Sequence, residues 1–315
     1  MKLQTQIPLV KQSPVIDYNS KVVLLGSCFA ENMAEKFLHY KFQSQVNPFG
    51  VLFHPVAILE FLTRAHQDNP YTEKDVFFSH GYWQSYRAHS KLNRISKIEL
   101  LDTLNTAQTS IQNQLKSASH VVLTFGTAWV YTHIQTNSVV ANCHKQPAQE
   151  FEKSILRSDQ LAETFEAILS ILKAFNPEVT IIFSISPVRH LKDGFVENNQ
   201  SKAHLIAALH SVLKPSKNAY YFPSYEIVMD ELRDYRFYKE DMVHPNQLAI
   251  DYIWKKFQSI WIDPHVNLTM KEVNRIQKGL SHAPFNPSTS EHAAFLSKLA
   301  GAIQVLETRF PFMKF

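Results

Sequence analysis

The chain has 315 residues, of which 45% are hydrophobic and 19% are charged, and its formal net charge is +4. This length and apolar content suffice for one large core. The 32 basic and 28 acidic residues form no long run of one sign, so we expect neither a nucleic-acid partner nor a membrane partner.

Targeting and redox signals are sparse. No run of about 18 apolar residues occurs, so no transmembrane helix is predicted. The first 20 residues lack the apolar centre of a signal peptide. Two cysteines, Cys28 and Cys143, do not indicate a disulfide framework. We therefore expect a soluble protein of a reducing compartment, located in the cytoplasm.

Strands and helices are predicted to alternate along the chain. Short apolar runs bounded by turn residues predict strands at 21–25, 41–46, 120–126, 179–187 and 219–224. Helical spacing predicts helices at 30–40, 54–66, 99–117, 158–175, 200–213, 246–257, 268–280 and 289–308. This alternation favours an α/β fold with three α/β/α layers and a five-stranded parallel sheet, for which we assume the order 2-1-3-4-5.

Two regions are expected to differ from this core. Residues 68–98 are aromatic and strand-like, with a hairpin about Gly81, and we predict an insertion there. A second hairpin is predicted within 129–145. We expect residues 1–262 to form one domain and residues 263–315 to form a C-terminal helical extension packed on it. The helix at 291–310 has a wide apolar face, which either its own core or a second chain in a homodimer would cover.

Glycine is scarce, with seven in the chain, yet Gly26, Gly50 and Gly126 each follow a strand-like run. Glycine is favoured where the backbone is left-handed or closely approached. In a sheet of order 2-1-3-4-5, ligands bind beyond the carboxyl ends of the strands. The loops predicted to meet there are Gly26-Ser27-Cys28, Asn47–Gly50, Gly126–Trp129 and Ser186–His190.

Ser27 lies in a sharp predicted turn between a strand and a helix. A serine at a helix N-terminus can be a nucleophile if a base reaches it, or it can simply cap the helix. In "DMVHP" (241–245), Asp241 and His244 are three residues apart. A bend of that length can place the carboxylate on one imidazole nitrogen and leave the other for a serine. The alternative is a capped turn with an exposed histidine.

Five ordered blocks carry a family resemblance: "LLGSCFAEN", "NPFG", "TFGTAWVY", "SPVRH" and "DMVHP". They resemble the GSCFA family, which belongs to the wider SGNH/GDSL hydrolase-like group, over roughly residues 20–258. The resemblance implies a flavodoxin-like three-layer fold. By analogy with the SGNH group, it implies that Ser27 is the nucleophile, His244 the base and Asp241 its partner.

The same resemblance implies an oxyanion hole, with one departure. The wider group uses the amide of the nucleophile, a glycine amide in the second block and an asparagine in the third block. Gly50 fits the glycine, but the third block has Gly126, Thr127, Ala128 and Trp129 in place of G-x-N-D. The candidate substitutes are Asn47, Asn142 and the Thr127 hydroxyl. Loss of one oxyanion donor costs about 2.7 to 4 kcal/mol.

Several neighbouring residues have two interpretations each. Cys28 is either a rival nucleophile or a buried small side chain. "ANCHK" (141–145) lacks the paired spacing of a zinc site, so we expect no metal or cofactor and place Asn142 and His144 at the rim. Arg189 and His190 bind an anionic or hydroxyl-rich substrate, or Arg189 forms a structural ion pair. Trp129 gives a stacking face or packs in the core.

Two functions follow as hypotheses. The first is a serine-dependent acyl-ester hydrolase or acyltransferase with a small-molecule or glycan ester as substrate, and O-acetylated carbohydrate is preferred by analogy only. The second is a carbohydrate-binding or assembly module that keeps the fold without turnover, which the missing asparagine favours.

Overall fold

The computed structural model describes residues 4–213 and 218–315, and the statements below concern those residues. Its strands are β1 (Lys21–Gly26), β2 (Gln43–Val46), β3 (Phe77–Ser79), β4 (Tyr82–Gln84), β5 (His120–Phe125), β6 (Trp129–His133), β7 (Ser138–Val140), β8 (Phe151–Ile155), β9 (Thr180–Ile185) and β10 (Ala219–Tyr221). Its helices are α1 (Cys28–His39), α2 (Pro55–His66), α3 (Lys97–Ser117), α4 (Ser158–Phe175), α5 (Phe195–Leu213), α6 (Ser224–Glu226), α7 (Gln247–Trp261), α8 (Asn267–Leu280) and α9 (Ser290–Arg309).

A five-stranded parallel sheet forms the centre, in the order β2-β1-β5-β9-β10. This is the predicted order 2-1-3-4-5, so the predicted fold class is confirmed. All residues of β5 and β9 are buried, as expected for parallel strands covered by helices on both faces.

Alternate side chains of each strand enter two separate core clusters, one on each face of the sheet. From β1, Val23 and Leu25 pack in the cluster that includes buried side chains of α2, α3, α4 and α5. Val22 and Leu24 pack in the other cluster, with side chains of α1, α7 and α8. The period of two along a strand produces this division, which fixes the sheet between two helical layers.

Smaller sheets lie outside the central one. The β3–β4 hairpin turns about Gly81 as predicted, and β6 pairs with β7 in the second predicted hairpin. Strand β8, which was not predicted, extends this second sheet by pairing with β6. A helical segment after β10 was not predicted either; there α6 continues as a π-helical turn over Ile227–Glu231.

The C-terminal helices contact the core unequally. α8 buries Met270, Val273 and Ile276 in the cluster shared with α1 and α7. α9 buries only Leu306, while Leu296 and Val305 remain 48% and 65% exposed. Across 4–213 and 218–315, no helix has both the length and the apolar character that a bilayer span needs.

Candidate active site

The carboxyl ends of the central strands form one edge, which we call the carboxyl edge. Gly26 of β1 lies opposite Thr124 of β5, and Phe125 lies opposite Ile185 of β9. The loops that begin there carry Ser27 after β1, Gly126 after β5 and the segment 186–190 after β9. The predicted convergence of these loops therefore follows from the strand register.

The end of β1 has no room for a side chain at residue 26. The φ of Gly26 is +135°, and a Cβ atom built on it would lie 2.1 Å from the carbonyl oxygen of Thr124. A side chain would collide with the neighbouring strand, so only glycine fits. The chain then turns at Ser27 directly into α1, and the Ser27 carbonyl accepts from the Ala30 N–H at 2.8 Å.

The Ser27 side chain is buried and has no hydrogen-bond partner. The residue occupies the N-cap position of α1, but its hydroxyl makes no capping bond. Only 1% of Ser27 is exposed, and no group in the described ranges, including the His244 imidazole, makes a hydrogen bond with its Oγ. The hydroxyl therefore has no structural role that the described contacts reveal, and it is closed to solvent.

Asp241 and His244 form a closely bonded pair in the loop before α7. Asp241 Oδ1 accepts the backbone N–H groups of Val243 and His244, each at 2.9 Å. His244 Nδ1 lies 2.7 Å from Asp241 Oδ2. The bonds from the His244 amide, the Val243 amide and the His244 ring lower the pKa of Asp241 to about 2. An ionised carboxylate only accepts, so Nδ1 carries a proton, and in the neutral form of the ring Nε2 has a lone pair.

Arg189 joins this loop to the carboxyl edge. Its Nη2 donates to the carbonyl oxygen of Met242, and its guanidinium lies 5.0 Å from the centre of the Tyr238 ring. The segment after β9 thus contacts the loop that carries Asp241 and His244. Arg189 makes a backbone contact here instead of the ion pair that was one alternative.

Asn47 presents an unused donor next to Gly26, the residue before Ser27. Its Oδ1 accepts the Gly26 N–H at 2.8 Å, whereas its Nδ2 is buried without a partner in the described ranges. The two amides expected in an oxyanion hole already have acceptors. Ser27 N donates to Thr124 O at 2.9 Å, and Gly50 N donates to Asn47 O at 2.8 Å.

Thr127 and Trp129 are tied to α5. The Thr127 hydroxyl lies 2.9 Å from Ser201 Oγ and accepts the Trp129 N–H at 3.1 Å. The Trp129 indole donates to the carbonyl oxygen of Glu197 at 3.2 Å, and Lys153 Nζ lies 4.5 Å from its ring centre. Both side chains therefore fasten the loop after β5.

Asn142 and His144 support a neighbouring segment. Asn142 Oδ1 accepts the His144 N–H at 2.8 Å. The His144 ring is buried, and its Nε2 atom lies 2.7 Å from Ser85 O and 3.1 Å from Ala88 O. Their contacts hold residues 85–88 in place, and Asn142 shows no bond that would direct its amide at Ser27.

One face of α5 carries a set of buried polar residues that was not predicted from the sequence. Asn198, Ser201 and Lys202 are each buried, although they belong to a helix. Their spacing of i, i+3 and i+4 places them on one face. Lys202 Nζ donates to Gly126 O and Ser186 O, each at 2.7 Å. The sequence contains one signal for this set: the three polar residues lie on the same helical face as the apolar Leu205.

The two cysteines are partly buried and free. Burial and then Glu31 raise the pKa of Cys28, and burial raises the pKa of Cys143 to about 11. In the part of the chain that the structure describes, no three His, Cys, Asp or Glu side chains are placed to hold a metal ion.

Comparisons with known proteins give two family matches. The model described as "GSCFA family" matches residues 21–257, and "GSCFA domain protein, C-terminal domain" matches residues 273–315. A search of curated proteins gives no match.

Solved structures give distant similarities. An acetyl esterase mutant with acetate ion is 12% identical, covers 81% of this chain and 99% of its own, and has a TM-score of 0.38. A carbohydrate esterase family 3 from Talaromyces cellulolyticus is 12% identical, with 80% and 99% covered and a TM-score of 0.35. A Clostridium thermocellum family 3 carbohydrate esterase is 10% identical, with 80% and 98% covered and a TM-score of 0.34.

The first family match includes the whole central sheet and every loop at its carboxyl edge. It also includes the loop of Asp241 and His244. The chain belongs to the GSCFA family.

Proposed function

We propose that this protein is a serine-dependent acyl-ester hydrolase or acyltransferase that acts on O-acetylated carbohydrate. One observation carries the proposal. The Ser27 hydroxyl at the carboxyl edge makes no hydrogen bond, and Arg189 connects the same edge to the loop in which Asp241 is bonded to Nδ1 of His244. Carbohydrate as the substrate class rests on analogy with the SGNH group, because one fold hosts many substrates.

The chemistry runs through two acyl transfers. Ser27 Oγ attacks the ester carbonyl carbon while His244 Nε2 takes its proton. The C–O bond of the ester then breaks, and the imidazolium returns that proton to the leaving alkoxide. Water or a second hydroxyl attacks the acyl-serine with the same base, which releases the acyl group and restores Ser27. Asp241 holds the imidazole in the required tautomer and stabilises the imidazolium.

Asn47 Nδ2 is the proposed side-chain donor to the oxyanion. Because Oδ1 is fixed by the Gly26 amide, the amide group has one orientation and Nδ2 is available. The amides of Ser27 and Gly50 join this donor by sharing hydrogen bonds that they now make to Thr124 O and Asn47 O. One such donor stabilises the transition state by about 2.7 to 4 kcal/mol.

Binding of an ester requires movement at the carboxyl edge. Ser27 Oγ is closed to solvent and makes no hydrogen bond with His244. The groups that cover the serine must therefore shift before attack, and the serine–imidazole bond forms in the substrate complex. Catalytic hydrogen bonds are often long or absent in free enzymes and form when the substrate binds.

A fluorophosphonate probe tests the proposal, because it reacts with an activated serine. We expect labelling of the wild type at Ser27, no labelling of Ser27→Ala, and normal labelling of Cys28→Ala, which serves as the matched control. We expect Ser27→Ala to lose turnover of p-nitrophenyl acetate. Full esterase activity in Ser27→Ala would end the proposal.

The binding or assembly module remains the second candidate, and the buried Ser27 hydroxyl favours it. Titration with acetylated and deacetylated oligosaccharides separates the two candidates. Measurable glycan binding without any labelling at Ser27 would support the module.

A further inference from the structure

We propose that His190 Nε2 donates a hydrogen bond to the oxyanion of the bound ester, at the position where the third block lacks an asparagine. Asn198 and Lys202 of α5 act as positioning residues for this imidazole. The inference rests on the proposed function and adds a residue and a protonation state to it.

The His190 ring packs against the backbone at the end of β5. Its Nε2 lies 2.8 Å from the place where a Cβ on Gly126 would stand, so a side chain at residue 126 would displace it. The ring centre is also 5.7 Å from that of Phe53. Gly126 thus leaves room for an imidazole against the third block, the block that would otherwise supply the asparagine.

Short backbone links connect this position to Ser27. The Phe53 carbonyl accepts the Gly126 N–H at 2.7 Å, and the preceding Leu52 donates its N–H to Gly26 O at 3.2 Å. The dipeptide Leu52-Phe53 is therefore bonded both to Gly26, the residue before Ser27, and to Gly126, on which His190 packs. The loops that hold the nucleophile and the imidazole are fastened to the same segment.

The His190 Nε2 atom is buried and has no partner in 4–213 or 218–315. A buried polar group without a partner is destabilising, and native proteins rarely leave one unused. Asn47 Nδ2 and Ser27 Oγ are unpartnered at the same edge. In this proposal the ester oxygen that develops negative charge is the missing acceptor for Asn47 Nδ2 and His190 Nε2.

Helix α5 fixes the backbone around the ring. Asn198 Oδ1 accepts the His190 N–H at 2.9 Å. Lys202 Nζ, on a residue that is 1% exposed, holds the carbonyl oxygens of Gly126 and Ser186 from below. Because the ring packs on Gly126 and its own backbone is bound to Asn198, it has a defined place before substrate arrives.

The groups that face the ring keep it neutral. Burial is the main cause, and Lys202 of α5 and His244 of the catalytic loop add to it, whereas Asp193 before α5 opposes it, so that the pKa of His190 falls to about 4. A neutral imidazole with its proton on Nε2 donates a hydrogen bond to an oxyanion without becoming a competing general acid.

Replacement of His190 tests the role, with labelling rate and steady-state kinetics as readouts. We expect His190→Ala to lower kcat on p-nitrophenyl acetate and the rate of fluorophosphonate labelling by about 10²–10³-fold, with KM nearly unchanged. His190→Asn, which keeps a donor, should recover part of this loss. His204→Ala is the matched control, since His204 makes a single backbone contact from α5, to Leu156 O at 2.8 Å.

The positioning role has its own readout. We expect Lys202→Met to raise the pKa of His190 toward its ordinary value in a nuclear magnetic resonance titration of the ring, in a variant that stays folded. Equal labelling rates for wild type and His190→Ala would overturn the inference while the proposed function stands. A wild type that never labels at Ser27 would overturn both.

Discussion

Asp241 holds His244 at two atoms at once: Oδ1 accepts its backbone N–H at 2.9 Å, and Oδ2 lies 2.7 Å from its Nδ1. The carboxylate therefore sets both the position of the residue and the orientation of the ring. In Asp241→Asn the remaining oxygen can keep the backbone bonds, but the amide N–H₂ then faces Nδ1 and moves the ring proton to Nε2.

We expect Asp241→Asn to fold with a thermal midpoint close to that of the wild type and to lose kcat by about 10⁴-fold, because the tautomer is wrong for a base. Steady-state kinetics on p-nitrophenyl acetate, with thermal unfolding of both proteins, measures this. Undiminished kcat in a folded Asp241→Asn protein would remove His244 from the base role.

Burial of Lys202 should make the free energy of unfolding depend on pH above neutrality. Burial lowers the pKa of Lys202 from 10.5 to about 7, and Cys28 opposes this in part. Between these values the unfolded chain binds more protons than the folded chain, so the free energy of unfolding rises with pH. We expect the stability of the wild type relative to Lys202→Met to rise by up to about 1.4 kcal/mol per pH unit between about pH 7 and 9. A difference that stays constant with pH in denaturant titrations would contradict this.

Two glycine substitutions should have opposite effects. Gly26→Ala forces a Cβ into the Thr124 carbonyl at a positive φ, and we expect a loss of about 3 kcal/mol or more. Gly301 lies within α9, and in the described residues no heavy atom beyond the local helix backbone lies within 4 Å of the position that an alanine methyl group would occupy there, so Gly301→Ala should gain about 0.5–1 kcal/mol. Chemical denaturation of both variants measures the pair, and similar values for the two would contradict the steric account of the β1 end.

The thiol of Cys28 should react slowly. Burial and the nearby Glu31 raise its pKa, and the thiolate is the reactive form. We expect iodoacetamide at about pH 7.5 to modify native protein much more slowly than denatured protein, as followed by mass spectrometry of the Cys28 peptide. Rapid native alkylation with loss of activity would support Cys28 as a rival nucleophile.

Much of the fold could be predicted because the signals are local. The buried runs of β5 and β9, and the glycines at strand ends, mark a parallel sheet and its carboxyl edge without knowledge of any contact. β8 escaped prediction because its sequence, "FEKSI", is mostly exposed and polar. It is a strand because β6 offers it backbone partners, and such pairing is a long-range property.

The site was predictable only in part for the same reason. Asp241 and His244 stand three residues apart, so a local bend suffices to pair them. Lys202 shares its helical spacing with the buried Leu205, but a lysine is rarely buried, and only the packing of α5 on the carboxyl edge reveals that this one is. The bonds that occupy the Ser27 and Gly50 amides likewise depend on how loops meet, which no local pattern encodes.

The bond from Ser27 N–H to Thr124 O has a consequence for how the protein is made. A ribosome that has released the first hundred residues has delivered the serine, but the strand that sets its geometry has yet to be synthesised. The nascent chain must therefore hold β1 unpaired on one side, and pairing of distant parallel strands is slow. We expect translation pauses or chaperone binding before residue 125 to affect yield more strongly than those after residue 263.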